Sequence, residues 1–131
     1  MIKEDYVSFE IAKLLKEKGF DEDINLWYDE TGEMFFELKY NIGRNWRVRN
    51  NQKVYECPTL HMAMKWLRDV HGVHLALFPY DVENGAVRYL PEILIISNGT
   101  QQLEYVEGLN ICESYEQAAE AAIKYCLENL I

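Results

Sequence analysis

Apolar residues recur along this chain with two alternating periods, one helical and one strand-like. Val7, Ile11, Leu14 and Leu15 fall at i, i+4, i+7 and i+8, which predicts a helix over 5–18. Gly19 suits the left-handed residue after it, with Phe20 folding back over Leu15 in a Schellman ending. The period then drops to two. Glu30-Thr31-Gly32 forms a three-residue hairpin loop that sets Tyr28 opposite Met34, Leu26 opposite Phe36 and Ile24 opposite Leu38. That register makes one apolar face and pairs Trp27 with Phe35 on the other, beside Asp23 opposite Lys39; the aromatic pair is either covered by a chain segment or open to a partner. Strand-like pieces near 45–49 and 53–56 lead into a second helix over 59–71, whose apolar residues Leu60, Met62, Ala63, Met64, Trp66, Leu67 and Val70 spread widely enough to predict deep packing.

A meander follows, with strands over 73–82, 86–97 and 101–107. Asn84-Gly85 and Asn98-Gly99 separate them, the pairs that favour two-residue type I′ turns. The first turn would place Asp81 opposite Arg88. Ile93-Leu94-Ile95-Ile96 is apolar on both faces and reads as a central strand, and Pro79 and Pro91 mark bends or bulges. Ser114 and Gln117 stand in capping-box spacing at the head of a last helix burying Tyr115, Ala118, Ala119, Ala122, Ile123, Cys126 and Leu130. Ala63-Met64-Lys65-Trp66 and Ala122-Ile123-Lys124-Tyr125 echo one another, so the chain reads as a helix followed by two βββα units. The expected fold class is α+β: one domain over 1–131, order α-βββ-α-βββ-α, with a mainly antiparallel sheet of about five or six strands and three helices on one face.

Composition supports a real core, with 49% apolar residues and 13% aromatic ones. Three cysteines at wide spacings make no disulfide framework and no CxxC, as befits thiols in a reducing cytoplasm. No stretch reaches the length of a membrane span. The net charge of −9 is segregated: residues 1–37 hold 11 acids and 4 bases, 54–131 hold the same, and 38–53 hold 5 bases and no acid. An acidic balance argues against broad binding to a nucleic-acid backbone or an anionic membrane.

The basic island supplies the candidate binding residues Arg44, Trp46, Arg47, Arg49 and Lys53, to which the Trp27 and Phe35 pair is added. Arginine forks beside an aromatic platform suit an acidic protein, a phosphate or a single strand of nucleic acid. The competing role is to neutralise the protein's own surface and guard a sheet edge. Cys57 and His61 are the nearest approach to a nucleophile and base, provided Cys57 caps the second helix; otherwise Cys57 ends a strand and is buried. Neither an orienting third group nor an oxyanion element accompanies them, so no catalytic residue is assigned. Cys57, His61, His71 and His74 do not make a metal site, because His61 and His71 would be about 15 Å apart along a helix. Phosphate loops, dinucleotide fingerprints and nucleophile elbows are absent, and no cofactor is implied.

Over its helical frame, MIKEDYVSFEIAKLLKEKGF (1–20), PTLHMAMKWLRDVHGV (58–73) and SYEQAAEAAIKYCLENLI (114–131), the chain resembles a group of small uncharacterised proteins encoded by gut Bacteroides-type bacteria and their phages and mobile elements. The group has no assigned activity, so the resemblance implies a cytoplasmic accessory protein and transfers no functional residue. The expected function is therefore a non-enzymatic interaction protein that binds a protein partner or itself. A small module for nucleic acid or an anionic ligand, using 39–53, is the alternative, and a thiol enzyme at Cys57 the remote one.

Overall fold

A computed structural model describes residues 2–36, 53–96 and 103–131. The chain divides into two compact units, Met1–Thr59 and Leu60–Ile131. The described elements run α1 (Phe9–Glu17), β1 (Leu26–Tyr28), β2 (Met34–Phe36), β3 (Tyr55–Glu56), α2 (Leu60–His71), β4 (Val73–Glu83), β5 (Ala86–Ile96), β6 (Leu103–Val106) and α3 (Tyr115–Asn129). The class is α+β and the order of elements is the expected one. The six strands form two antiparallel three-stranded sheets, β2-β1-β3 and β4-β5-β6, in place of a single sheet. The helices divide likewise: α1 packs on β3, while α2 and α3 pack on the second sheet.

In the first unit, Ser8 caps α1 by accepting the Ile11 amide at 3.3 Å. The helix is shorter than expected because Val7 lies before it, bound through its amide to the Pro58 carbonyl at 3.0 Å. The Schellman ending forms as its spacing implies, with Gly19 at φ 88°, Phe20 N–H donating to Leu15 and Gly19 N–H donating to Lys16. Gly32 is needed twice over: its φ is 85°, and a Cβ there would come within 2.9 Å of the Phe9 ring. Phe9 in turn stacks against Tyr28 and Tyr55, and the buried Tyr28 hydroxyl donates to the Val7 carbonyl at 2.7 Å.

In the second unit, Asn84 (φ 52°) and Gly85 (φ 79°) make the left-handed pair of a two-residue turn, and β4 and β5 zip from it with Asp81 opposite Arg88. The register shifts between Pro79 and Asp81, leaving Tyr80 as the extra residue of a bulge. β5 is the central strand. Val73, Pro91 and Ile93 are buried and share one face, against which the alanines of α3 and the Leu60, Ala63, Trp66 and Leu67 row of α2 close the core. α2 is less deeply packed than its composition suggests, since Met62 and Val70 are exposed. Ser114 caps α3 through the Gln117 amide at 3.1 Å, and Gln117 accepts from Glu113 N–H at 3.2 Å.

Removing three carbons from the fully buried Ile93 should lower unfolding stability by about 2–5 kcal/mol. Phe36→Ala, at an exposed strand end, should stay within about 0.5 kcal/mol of wild type. Urea titration followed by tryptophan fluorescence and circular dichroism checks both.

Candidate interaction surface

Of the residues nominated from sequence, Arg44, Trp46, Arg47 and Arg49 lie outside the described residues. Lys53 is exposed, and its amide donates to Glu30 Oε1 at 2.7 Å. Trp27 and Phe35 do pair, edge to face with centroids 5.2 Å apart, but Trp27 is fully buried with its Nε1–H donated to the Ile24 carbonyl at 2.7 Å. The hairpin's faces therefore do not divide as expected: Trp27 is buried, and so is Tyr28 of the expected core face. The aromatic pair lies on the buried side, while Met34 and Phe36 of the expected core face are exposed. Alternation points the other way, because Trp27 and Phe35 share their parity with Asp23 and Asn25 while Ile24, Leu26, Tyr28, Met34 and Phe36 make an apolar set.

The candidate thiol chemistry also finds little support. Cys57 is fully buried at the end of β3, its amide bound to Leu26 and its Sγ 3.6 Å from the Val7 carbonyl, while His61 is exposed with its ring facing Tyr115 at 6.2 Å. All three cysteines are thiols. Burial pushes Cys126 up to about 12, and burial followed by the Glu113 charge raises Cys112, so neither is an activated nucleophile at neutral pH. Among the described residues no cluster of three His, Cys, Asp or Glu side chains has metal-binding geometry, and no helix is long and apolar enough to cross a membrane.

Two clefts among the described residues bear on function. The first, about 400 Å³, lies between α1 and β3 and is lined by Ala12, Lys16, Phe20, Asp21, Val54 and Glu56. Its charged groups are engaged in holding the unit together. Lys16 Nζ lies over the Tyr55 ring and donates to the Val54 carbonyl at 2.8 Å, and Glu56 accepts the Glu22 amide at 3.3 Å.

The second cleft belongs to a feature that periodicity alone did not single out, the outer face of the β4-β5-β6 sheet. With Ile93 and Pro91 turned to the helices, the pleat sends Leu90, Glu92, Leu94 and Ile96 the other way. Pairing adds Phe78 beside Leu90, and His74 and Tyr105 on either side of Leu94. Phe78 is 49% exposed, Ile96 42% and Tyr105 64%, with Leu90 and Leu94 half-buried, so large apolar side chains from all three strands reach water on this face. Along this face a groove of about 350 Å³ runs between Leu90-Pro91-Glu92 and the stretch from Tyr105 to Leu109. Pro91 accounts for it. Tyr89 exchanges both backbone hydrogen bonds with Cys112, so Pro91, two residues on, would have to donate to the same side and has no N–H. The ladder to β6 therefore resumes only at Ile93, and the chain after Val106 swings away through Gly108 at φ 85°.

The charges around this face are one-sided. At the hairpin tip Arg88 donates Nε–H to Asp81 at 2.7 Å, binds the same carboxylate through Nη2, and meets Glu83 at 2.9 Å. The guanidinium hydrogen bond holds the Asp81 carboxyl below the ordinary carboxylate range. Glu92 and Glu107, on the groove, form no ion pair among the described residues.

Comparison with protein-family models, with curated proteins and with solved structures returns no match.

Under native conditions at pH 7.5 a maleimide should modify Cys112 first, with Cys57 and Cys126 reacting only as the chain unfolds. Mass spectrometry of timed digests reads this directly, and rapid labelling of Cys57 in the folded protein would reopen its case as a nucleophile.

Proposed function

We propose that this protein is a non-enzymatic interaction protein, a cytoplasmic accessory factor of a phage or mobile element, that binds a protein partner through the outer face of the β4-β5-β6 sheet. The observation that carries the reading is the outer face on which Phe78, Ile96 and Tyr105 are exposed beside the half-buried Leu90 and Leu94, since soluble proteins seldom leave several large apolar side chains together in water without a use for them. The acidic balance of the chain supports a protein rather than a nucleic acid as partner. Widely spaced thiols suit a reducing compartment, and the resemblance of the helical frame supplies the phage or mobile-element setting.

A second reading rests on the charge segregation. The 5 bases and no acid of residues 38–53 would serve a nucleic acid or an anionic ligand.

Capture from a lysate of the native host separates the two. Wild type should retain a nuclease-resistant protein that is lost with Phe78→Asp/Tyr105→Asp and kept with Arg44→Glu/Arg47→Glu/Arg49→Glu. Recovery of nucleic acid alone, falling steeply with salt and lost in the arginine variant, would establish the second reading instead.

A further inference from the structure

Resting on the reading of this face as an interaction surface, we propose that its occupant is a cationic amphipathic segment of the partner protein, which lays apolar side chains over Leu90, Leu94 and Tyr105 and sets a lysine or arginine head between Glu92 and Glu107.

Three observations select that chemistry. The first is charge. Residues 73–112 carry five carboxylates (Asp81, Glu83, Glu92, Glu104 and Glu107) against one arginine, Arg88, no lysine and one histidine, His74. Arg88 is consumed at the hairpin tip by Asp81 and Glu83, which leaves the groove carboxylates without an arginine or lysine from their own sheet. The second is shape. The groove has about 350 Å³, and Leu90, Tyr105 and Leu109 line it together with Glu92 and Glu107. A lining that mixes apolar side chains with carboxylates suits the methylene stem and charged head of a lysine or arginine, which lie along apolar surface while the head reaches a carboxylate. Tyr105, 64% exposed, adds an aromatic face for a guanidinium to stack on.

The third is what the charge excludes. A twofold mate docking through this same face would turn one acidic groove towards another, and like charges brought together across an interface oppose association. Nucleic acid and anionic lipid are repelled for the same reason.

The test uses the full chain, labelled with ¹⁵N, titrated with a short peptide that alternates leucine with arginine, beside peptides with glutamine or glutamate in place of arginine. The arginine peptide should shift the amides of Leu90, Leu94, Tyr105 and Glu107. Its affinity should fall about tenfold or more for the glutamine peptide and for Glu92→Gln/Glu107→Gln, and should weaken with added salt. The spectra of the variant themselves show whether it is folded. Equal binding of all three peptides at this face would overturn the cationic occupant while leaving the face an interaction surface. No shift of the face with any peptide would also overturn it, and the lysate capture would then judge the broader reading alone. Shifts that follow protein concentration without peptide would assign the face to a second copy and overturn the proposal.

Discussion

The two-residue turn at Asn84-Gly85 is the constraint on which the second unit depends. Both residues take positive φ, which only a few side chains tolerate, and the turn leaves no freedom in pairing: Glu83 must face Ala86, Val82 Val87 and Asp81 Arg88. A slip of one residue would exchange the two faces of β5 and turn Ile93 from the helices to water. The Arg88 ion pairs with Asp81 and Glu83 lock this register at the tip, and the bulge at Tyr80 adjusts it once before the strands enter the core. Everything further along the hairpin inherits the setting, including the outward placement of Leu90 and Leu94.

That placement makes the sheet two-faced. Its inner side is closed by the buried Ala118, Ala119 and Ala122 of α3, which packs on β4 and β5, and by Leu60, Ala63, Trp66 and Leu67 of α2, which packs on β4. The outer side carries side chains as large and as apolar as those within. An antiparallel sheet with one face on a core and the other in water ordinarily alternates apolar with polar residues. On β5 only Arg88 and Glu92 interrupt the apolar outer positions Leu90, Leu94 and Ile96. The missing N–H of Pro91 then carves a groove into this face beside Glu92 and Glu107, which form no ion pair among the described residues. The features argued to serve recognition follow from one turn and one proline.

Much of the frame is legible in the sequence, because the signals are local. Gly19 with Phe20, Glu30-Thr31-Gly32, Asn84-Gly85 and Ser114 with Gln117 each carry a backbone requirement of their own, and each forms as its spacing implies. What is not legible is non-local. Alternation in the β1–β2 hairpin favours the Leu26, Met34 and Phe36 face as the buried one, and the burial of Trp27 with the exposure of Phe36 is set instead by contacts across the unit, where Phe9 meets Tyr28 and Tyr55. The division into two sheets is likewise invisible to periodicity, which identifies strands without saying which of them pair. The groove is hidden for a further reason. Pro91 marks an irregularity in sequence, but only the Tyr89–Cys112 exchange shows which neighbour its missing donor affects. The basic residues Arg44, Arg47 and Arg49, the plainest chemical signal in the sequence, fall outside the described residues.

The outer face of the second sheet stands open in the isolated chain and is proposed to close on a partner. Hydroxyl-radical footprinting tests it with one chemistry at two sites, Tyr105 at 64% exposure and Tyr28 at 8%. The account requires Tyr105 and Phe78 to be oxidised readily in the isolated protein while Tyr28 is spared, and both to become protected when the captured partner is added. Oxidation of Tyr105 as slow as that of Tyr28 in the isolated chain, or unchanged by the partner, would contradict it.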